Sequence, residues 1–248
     1  MCPEHKPILT DDGSPSLVTT YENGVTEKMH HFRGALTESI YVYVPAIEWS
    51  LGQARSPAIM SLGLGLGYNE LLAVAVGLQH EGPDRLRIVT FEADEKLRSS
   101  FVDWLLATHP TALDESYTAV LNQIATAMTV PAHQLKETAA DLYRSGAWEL
   151  RGSYPECLSS HDLFHGILYD AFSSKMDEPL WSEEHLRKFL TQHASPTCAF
   201  ATYASTGNLK RSLRAHGFKM EFKPGFGGKK ECTFATRTAS GSGFSPQS

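Results

Sequence analysis

Three glycines at alternate positions, Gly63, Gly65 and Gly67, lie in the stretch IMSLGLGLGYNELL, between one short apolar run and a helix-compatible one. A turn this bare lets backbone N–H groups and a helix N-terminus come close to a ligand. Glu92 closes the next apolar run, in TFEAD, where a carboxylate can accept hydrogen bonds from both hydroxyls of a ribose. The same glycines would also serve a tight strand-to-helix turn with a surface Glu beside it. The buried run, the helix and the acid fall in register, and that combination predicts a nucleotide-type cofactor site. A second stretch with chemistry is LYDAFSSKMDEPLWS. Ligands of open α/β sheets bind outside the carboxyl ends of the strands, so Asp170, Phe172 and Lys175 should stand beside the first site. An Asp that follows an apolar strand and precedes an aromatic is partly desolvated, and so tuned as a base or acceptor, although a turn cap is a common use of Asp. Trp181 in the same stretch is a stacking platform or a core residue.

The elements that must hold these residues can be read in order. LVTTYENGVTEKM carries a two-residue Asn23-Gly24 turn between strand-like flanks, a hairpin signal. SIYVYVPAI (39–47) reads as an apolar strand or buried segment. SPAIMSLGLG is a short buried strand that runs into the glycine turn, and NELLAVAVGLQ is a helix. LRIVTFEAD is a buried strand, EKLRSSFVDWLLATH has helical spacing, and residues 110–145 are mostly helical with a break at Pro131. FHGILYDAFSS is a strand ending near Asp170. SEEHLRKFLTQHA is an amphipathic helix with Ser182 as its N-cap. TCAFATYAS is a strand, and NLKRSLRAHGF is a helix ended by Gly217. KMEFKPGFGGKKECTFATR reads as two strands around a glycine-rich connection. TASGSGFSPQS is expected to be a disordered tail. Apolar runs alternating with helices predict a mainly parallel α/β sheet covered on both faces, with an antiparallel C-terminal edge and an N-terminal β-hairpin appendage.

The 248 residues carry a net charge of −6 and are 42% hydrophobic, which excludes binding to polyanions by bulk charge. Any nucleic-acid contact must use a local basic patch. No apolar run reaches the roughly 20 residues of a membrane helix, and MCPEHKPILTDDG has no signal-peptide core. The four cysteines are scattered without a Cys-x-x-Cys pair, which points to a reducing cytoplasm rather than a disulfide framework or zinc knuckle. His161 and His165 have the spacing of helical metal ligands but lead into a strand with no third ligand, so no metal is expected. The pair His30-His31 either lines the mouth of the site or lies on the surface.

The Gly-x-Gly-x-Gly spacing resembles the first motif of class I S-adenosylmethionine-dependent methyltransferases. It fits the dinucleotide fingerprint poorly, because the sixth position from Gly63 is Tyr68. The chain from about Leu17 to Arg237 also resembles the tRNA 5-methylaminomethyl-2-thiouridine methyltransferases of the MnmC type, in the form without a fused oxidase domain. The blocks HHFRGALTESIYVYV, GLGLGYNELL, YDAFSSKMDEPLW and ATYASTGNLKRSLRAHGF followed by GFGGKKEC carry the resemblance, in that order. The chain departs from the family pattern at Ser61 and Ser153, where acids are usual. Within the third block Ser174 replaces a Pro, Lys175 comes one place early and Pro179 one place late.

The resemblance implies a Rossmann-like fold, S-adenosylmethionine as cofactor and tRNA as partner. It implies methyl transfer to the amine of 5-aminomethyl(-2-thio)uridine at the wobble position. Asp170 would be the catalytic carboxylate, and Gly63, Gly65, Gly67, Asn69 and Glu92 the cofactor contacts. Glu38, Phe172, Lys175, Trp181 and Tyr203 would face the substrate. Lys210, Arg211, Arg214, Lys229 and Lys230 form the densest basic clusters and are candidate phosphate contacts, although such runs are commonly solvated faces. Two alternatives stay open: an enzyme of the same fold acting on a small-molecule or protein amine, and a non-catalytic cofactor-binding interaction module. The expected organisation is a hairpin and following segment over 1–50, a methyltransferase domain over 51–237 and a tail over 238–248.

Overall fold

The structure, a computed structural model, describes residues 4–21, 24–80, 85–171, 177–228 and 231–239. Its first three strands, β1 (Glu4–Leu9), β2 (Pro15–Thr20) and β3 (Thr26–Lys28), form a separate antiparallel sheet in that order. The expected hairpin is therefore the second half of a three-stranded sheet. β1, EHKPIL, is mostly exposed and carries Pro7, so it has no apolar periodicity to announce it. Thr20 pairs with Thr26, and Tyr21 N–H donates to the Val25 carbonyl at 2.9 Å. That register leaves three residues in the connection rather than two; Asn23 lies outside the described residues.

The largest correction follows. The stretch 39–47, expected as an apolar strand or buried segment, is buried but helical: it is the middle of α1 (Ala35–Gln53). Val42, Tyr43, Val44, Ala46 and Ile47 are all buried, so burial on nearly every side removes the helical period from the sequence. Pro45 sits inside this helix and cannot bond the Tyr41 carbonyl. Lys223 Nζ donates to that carbonyl instead, and its ammonium lies 4.3 Å from the Tyr41 ring centre. The first turn of α1 is capped from the β1–β2 connection. Ala35 and Leu36 N–H groups donate to Ser14 Oγ at 2.9 and 3.0 Å, and Thr37 N–H donates to Asp12 Oδ2 at 3.2 Å. Burial pushes the Asp12 carboxyl up, but hydrogen bonds from Ser14, Thr10 and Thr37 outweigh it and hold the group at about 2. The N-terminal sheet is thus tied to the core through the donors of a buried helix.

The remaining elements are β4 (Ala58–Leu62), α2 (Tyr68–Gln79), β5 (Arg87–Phe91), α3 (Glu95–Leu106), α4 (Asp114–Ala127), α5 (Ala132–Ser145), β6 (Trp148–Arg151), β7 (Phe164–Tyr169), α6 (Glu183–His193), β8 (Ala194–Thr202), α7 (Gly207–Ala215), β9 (Lys219–Lys223) and β10 (Cys232–Arg237). The seven-stranded sheet runs β6-β5-β4-β7-β8-β10-β9. β6, β5, β4, β7 and β8 are mutually parallel, and β10 enters antiparallel between β8 and β9. β6, a strand of only four residues at the sheet edge, has no counterpart among the elements expected from sequence. Alternate strand residues serve opposite faces. Ile59, Ile88, Leu168 and Ala199 join the core under the first five helices, whereas Met60, Val89, Ile167 and Phe200 join the core under α6 and α7. Ser182 Oγ accepts the His185 N–H at 3.2 Å, the cap expected for α6. Among the described residues no helix is long and apolar enough to cross a membrane.

Candidate active site

β5 lies on one side of β4 and β7 on the other, so a switch in strand order falls at the carboxyl ends of β4 and β7. The glycine turn stands there. Gly63, Gly65 and Gly67 have φ of 89°, 52° and 80°, the left-handed region that a side chain strains. A Cβ on Gly67 would lie 2.4 Å from Phe101 Cε2, and one on Gly63 would lie 3.1 Å from the Asp170 carbonyl oxygen. Bareness here lets helix, strand and loop close on one another. Glu92 sits directly under the turn. Its carboxylate accepts the N–H groups of Leu64 (3.1 Å), Gly65 (3.4 Å) and Asp94 (2.9 Å). A carboxylate has about four lone-pair positions, so it retains capacity for a ligand hydroxyl.

A cavity of about 470 Å³ opens in front of this turn, lined by Gly63, Gly65, Asn69 and Glu92 on one wall and by Glu38, Tyr43, Asp170 and Tyr203 on another. Gly67 caps α2 behind that lining. Asp170 follows β7 as expected, and Asn69 Nδ2 donates to its Oδ2 at 3.2 Å. Tyr203 Oη donates to the Ala171 carbonyl at 2.9 Å, and the His31 N–H donates to Glu38 Oε2 at 2.7 Å. Burial, followed by the charges of Asp170, Glu27 and Glu38, raises the Tyr203 pKa, so the phenol remains protonated. Tyr43 is buried beside Asp170, and burial followed by that carboxylate raises its pKa as well. Glu27 and Asp177 also line the cavity, against Lys28 as the described cation. An acid-rich cavity of this kind suits a cationic ligand.

The other expected residues divide. His30 and His31 both line the cavity, as the mouth reading requires. Trp181 does not: it is 2% exposed and packs edge-on against Tyr169 and Tyr203, which makes it a core residue here. Lys210 is ion-paired with Glu231, and Arg211 with Glu183 at 2.6 Å; Arg214 is exposed on the same helix, and none of the three lines the cavity. The basic cluster on α7 is thus largely neutralised at home. Phe172, Lys175, Lys229 and Lys230 lie outside the described residues. Ser153 is exposed and away from the cavity, which its neighbour Tyr154 lines. His165 Nδ1 accepts the Ala58 N–H at 3.2 Å, a structural use. Ser61 is fully buried next to Glu70, a carboxyl whose Oε1 accepts the Thr90 hydroxyl at 3.0 Å. Three lining residues, Tyr43, Tyr154 and Glu27, do not stand out in the sequence. Tyr43 falls in a segment that reads as a strand or buried segment and Glu27 in one that reads as an appendage, and Tyr154 follows β6, the strand too short to register.

Comparison with known proteins agrees with this geometry. Residues 152–238 match a family described as S-adenosyl-L-methionine-dependent methyltransferase. The chain is 28% identical over 236 residues to the tRNA 5-methylaminomethyl-2-thiouridine biosynthesis bifunctional protein MnmC of Paraburkholderia phymatum, covering 90% of this chain and 35% of that protein. It is 27% identical over 236 residues to the protein of the same name from Cupriavidus metallidurans, covering 93% of this chain and 33% of that one. The chain therefore spans about a third of the length of these curated relatives. The crystal structure of MnmC2 from Aquifex aeolicus superimposes with a TM-score of 0.64 at 20% identity, over 96% of this chain and 72% of that one, which shows a shared fold.

S-adenosylmethionine is the cofactor of this class, and the cavity wall fits it. The glycine turn leaves room for close backbone approach, and Glu92 keeps acceptor capacity beside it. Asn69 lines the same space. When bound, the cofactor supplies an activated methyl group on a sulfonium that leaves as a neutral thioether, so its departure needs no acid.

Proposed function

We propose that this chain, an S-adenosylmethionine-dependent methyltransferase, methylates the primary amine of 5-aminomethyl(-2-thio)uridine at the wobble position of tRNA. The observation that carries the reading is that the glycine turn and Asp170 line one acid-rich cavity. It is supported by relatives named for biosynthesis of the methylaminomethyl-thiouridine of tRNA. A protonated amine has no lone pair, so the acceptor must lose a proton. In this reading the Asp170 carboxylate accepts a hydrogen bond from the nitrogen, aims it and takes that proton. Asn69 holds the carboxylate in place through its 3.2 Å hydrogen bond. Glu92 and the glycine turn hold the cofactor. His31 and Phe32, with ring centres 4.6 Å apart, offer a stacking surface at the mouth for a base that has left the anticodon stack.

This reading treats residues 51–237 as the methyltransferase domain, with 1–50 packed on it, and places the protein in the cytoplasm with its tRNA. A second reading, methylation of a small-molecule or protein amine, is favoured by the net charge of −6 and by the ion pairs that occupy Lys210 and Arg211. One experiment separates the two. The protein is incubated with methyl-labelled S-adenosylmethionine and tRNA from cells lacking this methylation, and the tRNA is digested to nucleosides. Label in the wobble nucleoside is expected; label in no nucleoside overturns the tRNA reading.

A further inference from the structure

We propose that the anticodon strand of tRNA crosses the cavity rim at the β3–α1 connection, with Phe32 stacking on a base and Lys28 and Arg33 holding phosphates. The inference deepens the reading above and rests on it for the identity of the partner. It places the RNA away from the basic cluster on α7. Phe32 is 52% exposed and lines the cavity, so an aromatic face stands open at the mouth. Its neighbour His31 is held from the far side of that mouth. A Cβ on Gly227 would lie 2.3 Å from His31 Cε1, so the ring rests on bare backbone, and Phe226 meets it edge-on with ring centres 5.8 Å apart. Phe226 in turn lies 6.2 Å from the ring of Tyr41, whose hydroxyl donates to the Pro224 carbonyl at 2.8 Å. Rings therefore run from Phe32 to Tyr41 across two connections far apart in sequence. They support the position of Phe32 and leave half of it uncovered.

The cations of this rim differ from those of α7. Lys28 and Arg33 are exposed, and neither makes an ion pair among the described residues. Arg33 Cζ lies 6.0 Å from the Phe32 ring centre, and Lys28 lines the cavity as Phe32 does. Asp11 reaches the Phe32 carbonyl through its backbone N–H at 2.8 Å, and no ion pair joins its carboxylate to Arg33. Lys210 and Arg211 already hold Glu231 and Glu183, and they do not line the cavity. A cation that holds a carboxylate must give it up before it takes a phosphate. Lys28 and Arg33 give up only water and counterions, whose release favours binding. Acids thus line the cavity, while an open ring and uncommitted cations stand at its rim. A single-stranded loop brings flat bases and phosphates together at every residue, which an acidic peptide does not.

The test measures binding of tRNA from cells lacking this methylation, by fluorescence anisotropy over a series of salt concentrations. Arg33→Gln and Lys28→Gln should each weaken binding and each reduce the salt slope by about one, the change for one lost phosphate contact. Phe32→Leu keeps an apolar side chain and removes the flat face. It should cost roughly 5- to 100-fold in affinity, the range for one stacked base, with the slope unchanged, and Phe32→Trp should restore binding. The Tm and the affinity for S-adenosylhomocysteine should stay at wild-type values throughout, because all three side chains are exposed. The comparison variant on α7, Lys210→Gln with Arg211→Gln, should keep the wild-type slope. A slope that falls in the α7 variant and not in Arg33→Gln or Lys28→Gln overturns the rim and leaves the tRNA reading standing. Wild-type affinity in Phe32→Leu overturns the stacking role. A loss of S-adenosylhomocysteine affinity in Lys28→Gln equal to its loss of tRNA affinity overturns Lys28 as a phosphate contact. Absence of tRNA binding by wild-type protein that still binds S-adenosylhomocysteine overturns the tRNA reading and the rim with it.

Discussion

The two walls of the cavity differ in what their polar atoms bond to. On the glycine-turn wall, Glu92 is engaged by three backbone N–H groups of the protein itself. On the facing wall, Asp170 is engaged by side chains: Asn69 Nδ2 donates to its Oδ2 at 3.2 Å, and Tyr43 is buried beside it. A satisfied carboxylate shapes a loop whether or not a ligand is present. Backbone donors fix the path of a loop, whereas side-chain donors fix only the carboxylate they reach. The glycine-turn wall is thus set by its own backbone, and the Asp170 wall by side chains brought in from α1 and α2.

The strongest way to break this contrast is Asp170→Asn, which keeps the shape but removes the negative charge and the basic oxygen. Turnover should fall roughly 10²- to 10⁴-fold, the range for a positioned general base. Cofactor affinity should hold, and the defect should shrink at higher pH, where more of the acceptor amine is already neutral. A wild-type rate in this variant would reduce Asp170 to a turn residue.

Glu70 sharpens the contrast, because it is a carboxyl fully buried outside the cavity lining. Burial pushes the carboxyl up from 4.5 to about 7, against hydrogen bonds from Ser61 and Thr90. A folded pKa above the unfolded one means that the fold favours the protonated form. The penalty is absent below about pH 4.5, grows as pH rises to about 7, and is constant above that. Glu70→Gln should therefore gain about 3 kcal/mol over wild type between about pH 4 and about pH 8, because each tenfold change in proton affinity is worth about 1.4 kcal/mol. Urea denaturation at the two pH values measures it. A stability difference that does not vary with pH would mean that Glu70 ionises as freely in the fold as outside it.

Glu92→Ala tests the satisfied wall. It removes the acceptor for the turn's N–H groups and for a cofactor hydroxyl, so cofactor affinity by calorimetry should drop about 10- to 100-fold, equivalent to roughly 1.5–3 kcal/mol. Unlike the Asp170 defect, this one should not depend on which acceptor is supplied. Unchanged affinity would remove Glu92 from the cofactor contacts.

Much of the cofactor wall is legible in the sequence because it is local. A short buried run, alternate glycines, a helix and an acid at the end of the next run lie within Ile59–Glu92, and their backbone geometry follows from neighbours a few positions away. Asp170 is legible for the same reason: it follows six mostly buried strand residues. The stretch 39–47 misleads because a helix buried on nearly every side shows no amphipathic period, and because Pro45 argues against a helix until Lys223 is seen to serve the Tyr41 carbonyl. Of the two readings open for Trp181, the structure bears out the core one, which composition favours over the substrate contact that the resemblance implies, while the α7 cations look like phosphate contacts because composition does not reveal that Lys210 and Arg211 are ion-paired.

By itself, then, the sequence determined the class of sheet, the bare turn at its centre and the carboxylates at the ends of β5 and β7. These depend on residue type and on spacing along the chain. Only the tertiary structure decided what stands opposite them. It brought Tyr43 of α1 beside Asp170, used Ser14 to cap a helix that begins far along the chain, and paired Lys210 with Glu231. A hydrogen-bond partner distant in sequence leaves no periodic trace, because its place is set by how whole elements pack and not by the residues next to it.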